Sequence, residues 1–172
     1  MELTDGVVAL RPVDGRDVDQ IWAACADAGI QRYIPLPLPY THEEAEAYVA
    51  RSVEHWATGR KAPFTITSPG EPDHLLGVIS ITFAGATGNA GYWVAPDARG
   101  RGVARRALAL VVDWAFAERE VGIVLLEIHD SNDASKQVAR AAGFHQVGKV
   151  EVGKGAKRRE ALLWARMVTD PA

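Results

Sequence analysis

The chain has 172 residues and a formal net charge of −3; 48% of its residues are hydrophobic and 24% are charged. This length suits one folded domain with a sizeable core, and we expect a single domain over residues 1–172. The mildly acidic balance argues against nucleic-acid binding, which usually requires a basic domain. A single cysteine, Cys25, excludes an intrachain disulfide and a multi-cysteine metal site.

No apolar segment approaches the roughly 20 residues that a membrane-spanning helix needs. The N-terminus also lacks the basic and then apolar pattern of a secretory signal, so we expect a cytoplasmic protein that does not contact membranes. No metal is expected, because the histidines show no metal-ligand spacing. They are His42, His55, His74, His129 and His145.

The first third of the chain predicts a strand and a helix followed by a loop. The strand covers residues 7–13, and the helix is capped by Asp14 or Asp17 and ends at Gly29. Apolar residues recur in this helix at spacings of three and four, which indicates a buried face. That face comprises Val18, Ile21, Trp22, Cys25 and Ala26. Three alternating prolines exclude a regular helix over residues 30–40, which we predict to be an extended apolar loop.

A second helix is predicted from the capping box Thr41–Glu44 to Gly59. Its predicted inward residues are Ala45, Tyr48, Val49, Val53 and Trp56. The later elements alternate in a way that favours an α/β fold, in the form of an α+β sandwich. They are strands over 62–67, 75–84 and 89–95, a helix over 101–119, a strand over 123–129, a short helix, and strands over 144–152 and 159–168 joined by a turn at Lys154–Lys157.

The most informative segment covers residues 91–104, where an apolar strand breaks at Pro96 and a basic glycine turn precedes a long helix. Consecutive backbone N–H groups and the helix dipole make such a turn a binding site for a phosphate or pyrophosphate. The dinucleotide fingerprint is incomplete, because Gly100 and Gly102 lack a third glycine, and the chain has no Gly-Lys-Ser/Thr triplet of a nucleotide-binding loop. The alternative is a surface turn that only caps the helix.

Residues 99–104, Arg-Gly-Arg-Gly-Val-Ala, fit Arg/Gln-x-x-Gly-x-Gly/Ala and resemble the pyrophosphate-binding motif of the GNAT superfamily of N-acetyltransferases. A second motif follows the strand at 123–129. Asn132 is suited to cap a short helix that carries Ser135 and ends at Gly143, before Phe144. Together with Gly-Tyr-Trp-Val at 91–94, this combination resembles the ribosomal-protein (Rim-type) branch of the superfamily.

The resemblance implies a mixed, mostly antiparallel sheet of seven strands, splayed between its fourth and fifth strands and flanked by about four helices. It also implies acetyl-CoA as the cosubstrate. In this superfamily the turn holds the pyrophosphate of the cosubstrate, and the preceding strand lies beside its pantetheine arm. The residues that carry over to cosubstrate binding are Trp93, Val94, Arg99, Gly100, Arg101, Gly102, Val103, Ala104 and Asn132.

The resemblance also implies catalytic roles. Ser135 is the candidate acid for the leaving thiolate, while relatives often use a tyrosine at the position of Ala139. Tyr92 lies on the strand whose N–H groups can polarise the thioester. The glutamate that relatives often carry as a base is replaced by Asn89, which leaves Glu127 or a chain of water molecules for that role.

The expected reaction is acetyl transfer to a primary amine, most simply the α-amine of a protein or peptide N-terminus. Two alternatives remain open: a small-molecule amine such as an antibiotic, a polyamine or an amino acid, or a catalytically silent acetyl-CoA sensor. The loop at 30–40 is expected to shape the acceptor pocket, with Tyr33 and Tyr40 as its aromatic residues. Homodimers are common in the branch.

Overall fold

The computed structural model describes residues 1–153 and 158–170, within which eight strands form one sheet and five α-helices surround it. The strands are β1 (Leu3–Thr4), β2 (Ala9–Pro12), β3 (Lys61–Thr67), β4 (Gly77–Ala84), β5 (Thr87–Val94), β6 (Ile123–Ile128), β7 (His145–Val152) and β8 (Arg159–Met167). The helices are α1 (Val18–Ala24), α2 (Ala28–Tyr33), α3 (His42–Thr58), α4 (Val103–Glu118) and α5 (Asp133–Ala141). The turn predicted at 154–157 lies outside the described residues.

The strands follow the order β1-β2-β3-β4-β5-β6-β8-β7, and every neighbouring pair is antiparallel except β5 and β6. The predicted α/β fold with a mixed, mostly antiparallel sheet is therefore confirmed. The additional strand is β1, whose two residues pair with Leu10 and Ala9 of β2. Two residues are too few to show an alternating pattern, which explains why the sequence predicts seven strands.

The predicted extended loop at 30–40 is wrong over its first part, because helix α2 includes residues up to Tyr33. The side chain of Asp27 accepts a hydrogen bond from the backbone of Ile30 and so caps this helix. The prolines do not interfere, since the first of them, Pro35, comes after the helix. Ile34, which precedes that proline, already has an extended backbone.

Three residues assigned to buried helix faces are exposed instead; one of them, Ala26, lies beyond the end of α1. Trp22 of α1 is 46% exposed, and Val53 of α3 is 56% exposed. In α3 the buried position near Val53 is taken by Ser52, whose hydroxyl donates to the carbonyl of Tyr48 at 2.9 Å. The buried residues of this helix are Ala45, Val49 and Ser52, at successive spacings of four and three. The sequence pattern alone does not assign position 52 to the buried face, because serine is polar.

Helix α4 positions the site. It packs against β4 and β5 through a buried apolar face. The buried residues include Val103, Ala107, Leu108, Val111 and Ala115. This packing fixes the N-terminus of α4 just beyond the end of β5. No helix in the described part of the chain has the length and apolar character required to cross a membrane.

Candidate functional site

The parallel strands β5 and β6 separate part-way along their length. Their pairing begins at Thr87 and Ile123 and ends at Ala90 and Leu126, whereas β5 continues to Val94. Ala95 donates its N–H to Leu76 beside β4, so by alternation the N–H groups of Tyr92 and Val94 point away from β4 and into the opening. The splayed arrangement between these strands is therefore present, with backbone donors along one wall.

The glycine turn lies at one end of this opening. Gly100 and Gly102 have φ values of +75° and +74°, in the left-handed region that favours glycine. Gly102 is the N-cap of α4, and neither a side-chain cap nor an acidic residue in the first turn satisfies the free N–H groups there. The free backbone N–H groups of this uncapped N-terminus can bind an anion.

The side chain of Arg99 is held in place beside this turn. Its Nη2 donates to the carboxylate of Asp27 at the start of α2, and its Nε donates to the carbonyl of Val94 at 3.3 Å. The hydrogen bond from Arg99 lowers the pKa of Asp27 below its usual range. The positive charge of Arg99 is thus fixed at the mouth of the opening, where the carboxylate of Asp27 partly neutralises it.

A cavity of about 580 Å³ occupies the opening. Of the eleven residues predicted for the site, ten line it and Arg101 does not. The ten are Tyr92, Trp93, Val94, Arg99, Gly100, Gly102, Val103, Ala104, Asn132 and Ser135. The sequence interpretation missed the contribution of α2, which adds Gly29, Ile30 and the following Ile34. The capping sequence that begins at Asp27 could have revealed this helix.

Two hydroxyl groups meet in the cavity wall. The phenol of Tyr92 on β5 lies 2.8 Å from the hydroxyl of Ser135 on α5. Burial raises the pKa of Tyr92 to about 12, so the phenol is protonated at neutral pH. Ser135 is oriented by the local fold, because its N–H donates to the side chain of Asn132 at 3.1 Å, which confirms Asn132 as the predicted helix cap.

A carboxylate lies on the exposed face of the sheet where the strands separate. Glu127 is the first residue of β6 beyond the last paired position, and its side chain is exposed. Its Oε1 accepts a hydrogen bond of 2.8 Å from Nδ2 of Asn89 on β5. The amide in the place of the usual glutamate therefore holds the neighbouring carboxylate.

A family model described as "Acetyltransferase (GNAT) domain" matches residues 8–145. The chain belongs to the GNAT acetyltransferase family. It is also 23% identical to spermidine N(1)-acetyltransferase of Escherichia coli strain K12 over 146 residues, which covers 83% of this chain and 75% of that protein.

Solved structures of Rim-type enzymes have the same fold. RimL, a ribosomal L7/L12 alpha-N-protein acetyltransferase in complex with coenzyme A, superposes with a TM-score of 0.86 at 18% identity, covering 98% of both chains. RimJ of Mycobacterium smegmatis, in complex with CoA-disulfide, has a TM-score of 0.82 at 25% identity, covering 98% of this chain and 86% of that one. This GNAT protein is an N-acetyltransferase that uses acetyl-CoA.

Ala139 and Ser135 face different surroundings, although both belong to α5. Ala139 is fully buried in the core beneath α5, whereas Ser135 and Val138 of the same helix line the cavity. A phenol still reaches the site, because Tyr92 supplies it from the strand opposite. The sequence gives no direct sign of this, since the two hydroxyl groups meet only in the folded chain.

The two aromatic residues expected in the acceptor pocket lie in different places. Tyr33 lines the cavity, and its hydroxyl donates to the carbonyl of Ser131 at 3.1 Å. Tyr40 packs against the hydrophobic core and is absent from the cavity lining. Among residues 1–153 and 158–170, no three histidine, cysteine, aspartate or glutamate side chains are grouped as metal ligands.

Proposed function

We propose that this GNAT enzyme transfers the acetyl group of acetyl-CoA to the α-amine of a protein or peptide N-terminus. The observation that carries the proposal is the opening between β5 and β6, with an anion site at one end and one carboxylate, Glu127, on the exposed face. The proposal includes the residues that bind acetyl-CoA and those that transfer protons.

In the proposed complex the pyrophosphate binds the N–H groups of the turn between Arg99 and Ala104. Two features support this position: the left-handed glycines bring the backbone close to a ligand, and the start of α4 has free donors. The pantetheine arm then lies along β5, where the N–H groups of Tyr92 and Val94 point into the opening. Asn132 lies on the opposite wall and can contact the amides of the arm.

Acetyl transfer forms a bond between the amine nitrogen and the thioester carbon and breaks the carbon–sulfur bond. In our proposal Glu127 takes a proton from the amine nitrogen, directly or through water, and the hydroxyl of Ser135 donates a proton to the leaving sulfur. The phenol of Tyr92 returns a proton to Ser135 and is itself reprotonated from solvent after the thiol has left. A β5 backbone N–H stabilises the developing oxyanion, and such a donor typically contributes about 10²–10³ in rate.

The charge of the exposed face favours an acceptor with one cationic group. Among the described strand residues that point to this face, the acidic side chain is Glu127. An α-amine carries one positive charge and has a pKa of about 7.7–8.0, so one carboxylate suffices to bind and deprotonate it. The face is open, which suits a peptide chain that continues beyond its first residue.

A polyamine is the second candidate, because a spermidine acetyltransferase is among the relatives that the chain matches. A polyamine carries several ammonium groups and needs several carboxylates near the site. The single carboxylate of the strand face therefore favours the peptide.

The test is an acceptor screen with the purified protein, in which thiol release from acetyl-CoA is measured with peptides that begin with alanine, serine or methionine, and with spermidine. We expect turnover with a free α-amine and none with a peptide that is blocked at its N-terminus and contains one lysine. Mass spectrometry locates the acetyl group. Faster turnover with spermidine would contradict the proposed acceptor, and binding of acetyl-CoA without turnover of any amine would favour a sensor.

The role of Glu127 has a separate test. Glu127→Gln keeps the shape of the side chain and removes its charge. We expect kcat/KM for the peptide to fall roughly 10²-fold, in the range of a general base, while acetyl-CoA binding is unchanged. Asp130→Asn is the matched control, because Asp130 is also exposed and follows the same strand.

A further inference from the structure

The central strands β4 and β5 contain three glycines, and the space available for a side chain differs between them. A Cβ atom at Gly77 would collide with the carbonyl of Trp93, and one at Gly88 would lie 2.6 Å from Cδ1 of Ile81. These two glycines are therefore required by packing. A Cβ atom at Gly91 would have no heavy atom within 4 Å, apart from the chain neighbours.

The backbone does not require a glycine at position 91 either. Gly91 does not have a positive φ. The pairing of β5 with β4 is continuous from Gly88 to Val94, so there is no bulge at this position. A glycine in the interior of a strand is less stable than an alanine, because it loses more backbone conformational entropy on folding. A strand glycine without a bulge or a bend is typical of a position where a ligand approaches closely.

The residues around Gly91 indicate which substrate would approach the strand here. By alternation it shares the exposed face of the sheet with Asn89 and Trp93. Gly91 and Glu127 are the first residues of β5 and β6 beyond the last parallel pair, Ala90 with Leu126. The space that a side chain at position 91 would fill therefore lies on the same face as the carboxylate held by Asn89, at the point where the strands separate.

We infer that Gly91 is a specificity-determining residue, which leaves a gap on the exposed face of β5 through which the first residues of the acceptor reach the thioester. The inference rests on the proposed function, because the proposal places the acceptor on this face beside Glu127. It adds that the size of the residue at position 91 sets the size of acceptor that the enzyme accepts.

The test compares Gly91→Ala and Gly91→Val with the wild type in steady-state kinetics, with an alanine-initiated pentapeptide and with methylamine as acceptors. We expect KM for the peptide to rise roughly 10-fold or more in Gly91→Val, and less in Gly91→Ala, because each added carbon occupies the gap. We expect a smaller rise in KM for methylamine. We expect the Kd of acetyl-CoA, measured by calorimetry, not to rise and the Tm of the protein not to fall.

Gly148→Ala is the control for an added carbon on a strand outside the opening. Gly148 also has no heavy atom within 4 Å of an added Cβ, and it lies on β7, two strands away from β6, although it adjoins a register shift in the pairing with β8. We expect this variant to leave both acceptors unaffected.

The outcomes separate the inference from the proposed function. If the wild type acetylates the peptide and Gly91→Val has an unchanged KM, the inference is overturned and the proposed function stands. If Gly91→Val weakens acetyl-CoA binding or lowers the Tm, the space has another role and the inference is again overturned. If the wild type binds acetyl-CoA but acetylates neither acceptor, the proposed function fails and the inference fails with it.

Discussion

The hydroxyl groups of Tyr92 and Ser135 are 2.8 Å apart in the wall of the cavity, although the residues are 43 positions apart in the chain. One belongs to β5 and the other to the first turn of α5, so the contact joins the two sides of the opening between β5 and β6. Burial keeps the phenol protonated at neutral pH. In the proposed mechanism this pair provides the proton for the leaving thiolate.

Replacing Ser135 with alanine should lower kcat by about 10²-fold or more, as expected for the loss of a general acid. Tyr92→Phe removes the partner hydroxyl but leaves Ser135, so we expect a smaller loss of kcat. The measurement is the rate of thiol release at saturating acetyl-CoA, together with the Kd of acetyl-CoA by calorimetry, which should be unchanged. Ser131→Ala is the control, because the hydroxyl of Ser131 bonds to His129 outside the cavity lining. An unaltered kcat in Ser135→Ala would exclude Ser135 as the acid.

Gly102→Ala should weaken acetyl-CoA binding. The φ of +74° at this position costs a residue with a side chain roughly 1–2 kcal/mol, and the added Cβ occupies open space beside the N-terminus of α4, where we propose that the pyrophosphate binds. We expect the Kd of acetyl-CoA to rise about tenfold, which corresponds to about 1.4 kcal/mol. Gly85→Ala separates the two effects, since Gly85 has a φ of +58° in the exposed turn between β4 and β5, at the opposite end of β5 from the glycine turn. It should lower the Tm by a similar amount without changing the Kd.

Asp27→Asn should strengthen acetyl-CoA binding. Asparagine is as good a helix cap as aspartate, so α2 is retained, but the carboxylate that partly neutralises Arg99 is removed. The free guanidinium then acts on the phosphates, and we expect the Kd to fall about two- to fivefold at low salt, within the range of exposed ion pairs. The gain should disappear at high salt because the charges are screened. Asp19→Asn makes the same charge change at an exposed position outside the cavity lining; a similar gain there would show that only net charge matters.

The local parts of the site could be predicted from the sequence, and the contacts across the opening could not. The glycine turn, the cap at Asn132 and the position of Ser135 depend on residues that are close in the chain, so their types and spacing suffice. The hydrogen bond between Asn89 and Glu127 joins residues 38 positions apart and depends on the register of β5 against β6. Helix α2 was hidden for a different reason, since the prolines that follow it suggested an extended segment throughout.

The free energy of unfolding should fall as the pH rises from about 10 to about 12. Burial raises the pKa of both Tyr48 and Tyr92 to about 12, whereas a tyrosine in the unfolded chain titrates near about 10. A raised pKa means that the folded protein holds the proton more tightly, so this contribution is fully present below pH ~10 and is lost as the pH approaches 12. Chemical denaturation at a series of pH values measures the slope, with phenolate absorbance recorded in parallel. The double variant Tyr48→Phe/Tyr92→Phe should flatten the slope in this window, and an unchanged slope would show that these phenols are not protected by the fold.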